Sequence, residues 1–513
     1  MRQRALDIAV EPPAALSGSP AAMSGAQFVC GDRSKLFVGE APLHAYLRSS
    51  GQQFVLRLAE RIDAMELGSF LERYSPVGRP AIHPRIMLGL IFYGTIIGHS
   101  SLRALEHLAI CDVRAWWLCG GEQPDHSTIG KFVVAHRDWL ISEGFTSAFK
   151  AATTGLRVQS NEAAIDGTVI ESVASRLNML TREAAREAAE EARRVAAVDP
   201  SDTRMQAAAS TAEQVARAAD QRADRREDKG LPADYVKVAA SDPDAVNQPR
   251  KDDVRRPAYK PSVIATHGQL ISGQHVEPSS ETAAIPALLE QHKETLGEEP
   301  TRVLADAGYC AIAVLALAIE KQIDLLCPEG QGGSRRDLNR NGQFQKHLFV
   351  FQPDDEAYRC PAGQTLVPSE RGKDRGGRPF TKYRCDACRD CPQRAKCTDA
   401  KSGRSIKRYE GDDLKEALRE VMKQPAARAK YRERSAMVEP IFGRLRAMGL
   451  HRFRRRGLAR VRAEFAICCI AYNFKRADGI REARIAAFAF VHSHHAGWTM
   501  VLLITTGTRH SPT

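Results

Sequence analysis

Apolar residues recur at helical spacing from about residue 40 to 150, and short apolar runs bounded by Gly, Pro and Asp replace them from about 160 onward. In the first stretch Pro84 opens a helix carrying Ile86, Met87, Leu90 and Ile91, with Tyr93, Thr95 and Ile97 beyond. Gly98-His99-Ser100-Ser101 breaks it, and Ser100 offers an N-cap for a helix over 102–110. A further helix is predicted after Ser127-Thr128. Two helices joined by a short Gly-containing turn fit either a helix-turn-helix or an ordinary helical hairpin. From about 160 the pattern is strand (161–170), strand and return strand (262–266 and 270–276), helix to about 296, strand (301–305), helix (312–321) and strand (323–326). This order predicts an α/β fold with a mixed sheet. It is interrupted at about 176–235 by two Ala-, Arg- and Glu-rich helices broken at Asp199-Pro200. With few large apolar residues, they predict an inserted, largely exposed helical hairpin. Helices are expected again from about 411 to 475.

Composition changes this picture at three places. Residues 1–38 are rich in Ala, Pro, Ser and Gly and are expected to be disordered, and 478–513 form a weakly patterned tail. The 513 residues suit two or three domains, and the +12 formal charge favours a polyanionic partner over an acidic one, with a solvated basic surface as the plain alternative. No apolar run is long enough for a bilayer, and the N-terminus lacks a signal core, so a reducing, cytoplasmic location is expected.

Five of the 12 cysteines fall between Cys360 and Cys397, which is not the spacing of a secreted disulfide scaffold. Cys385-x2-Cys388-x2-Cys391-x5-Cys397, with Cys360 upstream, has the density of a tetrahedral thiolate site. Four of the five would hold structural Zn2+, with Cys388 or Cys385 as the spare, and a reduced, metal-free loop is the alternative. The block, about 330–405, is read as a Cys-rich insertion carrying a basic surface. Farther on, Arg452, Arg454, Arg455 and Arg456 form the densest run of positive charge. Such a run suits phosphate contacts, which position a duplex without reading its sequence.

Three carboxylates stand in unrelated contexts. Asp166 and Asp306 end short apolar strands, each with a glycine close behind (Gly167 and Gly308) that would admit a backbone or phosphate. Glu439 rides a helix, and Pro440 directly after it predicts a kink or restart at that point. Any one alone would be a turn residue or a solvated face. Together they make an all-oxygen set for two hard divalent ions, a chemistry suited to cutting and joining phosphodiesters.

Ile165-Asp166-Gly167-Thr168, Ala305-Asp306-Ala307-Gly308-Tyr309 and Val438-Glu439-Pro440-Ile441-Phe442-Gly443 resemble bacterial insertion-sequence transposases of the DDE type. Tyr74 to Pro80, Pro124 to Thr128 and Tyr358-Arg359-Cys360-Pro361 add to the resemblance, which covers roughly residues 40 to 475. It implies a ribonuclease H-like catalytic domain (158–477) behind a helical domain (39–150) that holds DNA ends. It also implies Mg2+- or Mn2+-dependent cleavage at the element's terminal repeats and strand transfer into target DNA. Asp166, Asp306 and Glu439 would be the catalytic triad and metal ligands, in a homodimer or larger assembly on double-stranded DNA in the bacterial nucleoid. A nuclease without strand transfer, or an inactive DNA-binding derivative, are the alternatives. The family's third motif reads Tyr, two residues, Arg, three residues, Glu, six residues, Lys. Tyr431 and Arg434 fit its start, four residues separate Arg434 from Glu439, and Arg446 replaces the Lys. The slip bears on the role of Arg434 and leaves Glu433 as runner-up third carboxylate. Tyr431, Arg434, Arg446 and the arginine run are the expected DNA contacts.

Overall fold

The computed structural model describes residues 26–228, 230–249, 254–329, 338, 342–374 and 377–505, with side chains up to 487. The disorder expected of 1–25 and the end of the tail, 506–513, lie outside the described residues. The chain divides into two compact units. One holds the residues up to 158 together with 444–450 and those from 466 onward, and the other holds 159–443 and 451–465.

The first unit contains α1 (Leu43–Ser49), α2 (Gln53–Asp63), α3 (Gly68–Leu71), α4 (Pro84–Ile96), α5 (Leu102–Cys111), α6 (Val113–Cys119), α7 (His126–Ala135), α8 (Arg137–Ile141) and α9 (Glu143–Thr153). α4 is apolar on every side because it is the axis: all residues from Ile86 to Ile96 are buried. Gly94 lets α5 approach, since a Cβ there would run into Leu105 Cδ2. The α4–α5 pair therefore has its first helix enclosed. One predicted cap and one predicted start shift. Ser101, not Ser100, caps α5 by accepting Ala104 N–H at 3.2 Å. Asp125 caps α7 by accepting Thr128 N–H at 2.8 Å, so that helix begins at His126. In each case the cap is the residue whose oxygen reaches the third helical N–H. Residues 26–38 are ordered, unlike the composition-based expectation. Phe28–Val29 pairs in parallel with Ala81–Ile82, and Phe28 packs edge-on against Tyr74 and His83. One anchored aromatic outweighs a flexible composition.

The second unit is built on β1 (Glu162–Gly167), β2 (Arg255–Ala265), β3 (Ile271–Glu277), β4 (Arg302–Leu304) and β5 (Asp324–Leu326), in the order β3-β2-β1-β4-β5. β1, β4 and β5 run parallel, and β2 is antiparallel to both its neighbours. This is the mixed α/β sheet the pattern predicts. Between β1 and β2, α10 (Arg182–Val198) and α11 (Thr203–Glu227) form the predicted hairpin. They pack through Ala185, Ala189, Ala216, Ala219 and Ala223, small side chains that let the backbones approach. Arg182 ties the pair by reaching Asp220, Asp224 and Glu227. α12 (Ile285–Leu296) and α13 (Ile312–Glu320) cover the sheet, burying Leu288 and Leu315 against Ala163, Ile165 and Ile264.

The Cys-rich block is itself a sheet, which its sequence did not predict. β6 (Val350–Gln352), β7 (Ala357–Arg359), β8 (Thr365–Lys373), β9 (Pro379–Arg384) and β10 (Ser405–Tyr409) form an antiparallel meander. Its core is thin: Phe349, Tyr358, Leu366, Tyr383 and Ile406. The Arg408 guanidinium lies 3.7 Å from the Phe351 ring centroid.

α14 (Asp412–Lys423), α15 (Pro425–Ala447) and α16 (Leu458–Thr505) follow. Much of the expected tail is thus helix. Within the first unit, Asp478 and Glu482 of α16 accept from Arg57 of α2, and Arg481 donates to the carbonyls of Ala152 and Thr154. α15 continues through Pro440, so the helix does not restart there. A proline leaves the carbonyl four residues earlier, here Ala436, without its helical donor. The Gln269 side-chain amide supplies one at 2.8 Å. Gln269 sits in the β2–β3 turn with φ of 58°, a conformation that L side chains rarely adopt.

Candidate active site

Asp166 is the penultimate residue of β1, paired across to Val263 of β2. On the other side, β1 and β4 run in parallel register with Ala164 beside Leu304. Carrying that register on by two residues sets Asp306 beside Asp166, at the spacing of neighbouring strands. The chain turns sharply after Asp306 because its own carboxylate caps the turn, accepting Gly308 N–H at 2.8 Å. Gly167 makes room for protein rather than leaving a gap. A Cβ there would lie 2.8 Å from the Tyr309 hydroxyl and 3.0 Å from Ser262 Oγ.

α15 brings the third carboxylate. Lys430 reaches Glu162 at the start of β1 at 2.6 Å, and one turn later Arg434 reaches Asp166 at 2.7 Å. The helix therefore follows the strand in the same direction. Arg434 also lies 3.6 Å from Glu439, whose other oxygen accepts from Ser435 Oγ at 2.7 Å. Arg434 is buried, and its Nε has no hydrogen-bond partner. Burial pushes the Asp166 carboxyl up to about 6; the Arg434 guanidinium opposes this, and the charges of Asp306 and Glu439 add to it. Asp166, Asp306 and Glu439 thus share one electrostatic neighbourhood, with Asp166 enclosed and Glu439 at the solvent.

Glu433 goes elsewhere. With Glu162 and His267 it forms the one set of three ligating groups within 4.8 Å among the described residues. That set is already neutralised by cations. Glu162 meets Lys430, Arg302 at 2.8 Å and His267 at 2.8 Å. Burial works against its ionisation, yet these donors outweigh burial and hold the carboxyl at about 2. We read an ion-pair cluster that fastens the start of β1 to α15. Glu162 and Asp166, four residues apart on one strand, are about 13 Å apart, so Glu433 does not reach the Asp166 end.

One acidic neighbour was not anticipated. Glu281 lies at the edge of the site, its Cγ 3.2 Å from where a Gly167 Cβ would be, and it pairs with Lys260 at 3.2 Å. No spacing in Ser279-Ser280-Glu281-Thr282 distinguishes it; only folding brings it there.

The expected DNA contacts separate. Arg434 faces inward to the carboxylates. Arg452 donates to the carbonyls of Ser172 at 2.6 Å and Ala174 at 3.2 Å, which fixes the loop. Glu464 accepts the backbone N–H groups of Arg454 and Arg455, and buried Asp242 accepts that of Gly457 along with the Tyr259 hydroxyl. The backbone of the run is thereby held, while the side chains of Arg454 and Arg456 are exposed and Arg455 is half-buried. Tyr431 is half-buried and lines a groove with Lys423, Arg428 and Arg432. Arg446, which belongs to the first unit, is exposed on α15. Cys360, Cys385, Cys388, Cys391 and Cys397 all border one small cavity of the meander.

Residues 44–134 match a family model described as a transposase domain (DUF772), and residues 359–477 match one described as a transposase DDE domain. The second spans Glu439 and the cysteines but neither Asp166 nor Asp306. A comparison with curated proteins gives no match. Matched at both its helical N-terminal part and its glutamate-bearing C-terminal part, the chain is similar to transposases in two separate regions, and these matches support a DDE-type insertion-sequence transposase.

Proposed function

We propose that the protein cleaves DNA at the ends of its insertion sequence and joins the freed 3′ hydroxyls to target DNA, with Asp166, Asp306 and Glu439 as the catalytic set. The observation that carries this reading is that Arg434 pairs with Asp166 and lies near Glu439, while the charges of Asp306 and Glu439 both bear on Asp166. The strand order β3-β2-β1-β4-β5, with β2 reversed, supports a ribonuclease H-like core. The donor set fits Mg2+ or Mn2+: it is all oxygen, and like charges already press on Asp166, a repulsion that a divalent ion relieves. When bound, two such ions would lower the pKa of an attacking water or 3′ hydroxyl and stabilise the leaving oxygen.

The protein's own part is placement. Asp166 and Asp306 are short side chains on a rigid sheet, so they fix position. Glu439 is longer and solvent-facing, so it can close over a phosphate. Arg434 balances charge from beneath. Arg454 and Arg456, with the groove at Tyr431 and Arg432, offer phosphate contacts along a duplex. Arg446, in the first unit, is a further exposed cation for DNA. The helical residues 39–150 hold the element's ends, and joining two ends calls for at least a homodimer. The twelve free thiols suit work in the reducing cytoplasm, at the nucleoid.

The test is incubation of the full chain with labelled DNA carrying the ends that flank its gene, plus unlabelled target, in Mg2+ or Mn2+. Nicked ends and label joined to target are expected. Nicks without joined product would leave a nuclease, and binding without nicks would leave an inactive DNA-binding derivative.

A further inference from the structure

We propose that Cys360, Cys388, Cys391 and Cys397 hold a structural zinc ion as four thiolates, with Cys385 a packing residue beside them. The five thiols are free and border one cavity where the β7–β8 turn faces the β9–β10 loop. Cys360 sits in a tight turn, its N–H reaching Gln364 O and its carbonyl accepting Gly363 N–H, both at 2.9 Å. The other three are on the loop. That loop carries mostly exposed residues, so apolar burial does little to hold its shape.

Two arginines hold it instead. Arg394 donates to the carbonyls of Cys388 at 2.9 Å, Ala400 at 3.0 Å and Lys401 at 3.2 Å. Arg404 donates to the carbonyls of Cys397 and Phe344. Both line the cavity. Four thiolates around Zn2+ carry a net charge of minus two, and these two cations balance it. Behind Cys388 the loop is tight: a Cβ on Gly403, which has φ of 82°, would stand 2.7 Å from Cys388 Cβ.

Cys385 differs from the rest. It directly follows β9, is buried, and belongs to the core with Leu366, Tyr383 and Ile406, against which Cys360, Cys388 and Cys397 are only partly buried. No three of the sulfurs lie within 4.8 Å of one another, whereas thiolates about 2.3 Å from zinc stand about 3.8 Å apart. Loading therefore draws the loop inward onto Cys360.

The test is zinc content of the full chain purified without chelators, followed by Co2+ replacement and its visible spectrum. One zinc per chain is expected, with a cobalt spectrum of tetrahedral intensity and a thiolate-to-metal charge-transfer band. Cys385→Ser should keep the full equivalent, and Cys391→Ser and Cys397→Ser should fall at least fivefold. Cobalt titration of wild type needs no variant to fold. A wild type that retains no zinc and gives an octahedral cobalt spectrum would overturn the proposal. So would acid-labile sulfide with visible absorption, or loss of metal from Cys385→Ser but not Cys388→Ser. None of these readouts depends on DNA cleavage.

Discussion

Three carboxylates in one neighbourhood repel one another, and Arg434 is the residue that answers them. It is buried, reaches Asp166 at 2.7 Å and lies 3.6 Å from Glu439. Removing one partner of such a pair leaves the other charge buried, at about 3 kcal/mol or more. Arg434→Gln should therefore melt at lower temperature without metal and recover more on adding Mn2+ than wild type does, as read by thermal shift. Equal melting and equal metal response would assign Arg434 no such role. In the first unit, His136 is packed between Phe70 and Phe132, and its Nε2 lies 3.1 Å from the Tyr74 hydroxyl. Burial, with Arg73 adding to it, lowers the imidazole from 6.5 to about 4. Between those values the unfolded chain binds a proton that the folded chain refuses. Stability is thus complete above pH 6.5 and lost as pH falls toward 4. Part of the ring is reached by solvent, so the loss is on the order of 1–2 kcal/mol rather than the full shift. Melts across that range should show a shallower acid slope for His136→Asn, and an unchanged slope would rule this residue out as the cause. At this scale the sequence was a partial guide. Local context singled out Asp166, Asp306 and Glu439, and the fold brings the charges of Asp306 and Glu439 to bear on Asp166. The inward turn of Arg434 and the arrival of Glu281 were not, because both depend on contacts between distant segments.

Elements were more legible than side-chain roles. The apolar periodicity placed β1 to β5, the α10–α11 hairpin and α4 close to where they lie. It missed the meander of β6 to β10, since those strands bury two apolar residues at most, as in β9, where Phe380 and Tyr383 are buried, and β6 buries none. The restart expected at Pro440 does not occur, and local sequence does not reveal that a side chain from another hairpin will satisfy the vacated carbonyl. The Gln269 hydrogen bond gives a clean test. Gln269→Ala should destabilise by about 1 kcal/mol, the worth of one hydrogen bond. In a Pro440→Ala background the restored N–H can serve Ala436, so the same change should have much less effect. A double-mutant cycle with additive penalties would show that the two residues are not coupled.

For the whole molecule, charge and architecture point to the same partner. The +12 surplus includes arginines fixed by backbone carbonyls, such as Arg452, and arginines with exposed side chains, such as Arg454 and Arg456. Removing one phosphate-binding arginine should flatten the dependence of log affinity on log salt by about 0.9. Arg454→Ala with Arg456→Ala should then reduce that slope by about 2 while leaving the melting temperature unchanged. Arg452→Ala should lower the melting temperature instead. A pair of variants behaving the other way round would reverse this assignment. No helix among the described residues is long and apolar enough to cross a membrane.

If Asp166, Asp306 and Glu439 act as one unit, the rate of Mn2+-dependent end cleavage in single and combined variants will show it. Asp166→Asn, Asp306→Asn and Glu439→Gln should each lower the rate by roughly a thousandfold or more, and the Asp166→Asn/Glu439→Gln pair should be no slower than either alone, as for groups that work together. Glu433→Gln should cleave at close to the wild-type rate. Losses that multiply in the pair, or a Glu433→Gln variant that is inactive beside an active Glu439→Gln, would mean that these three carboxylates are not the catalytic set.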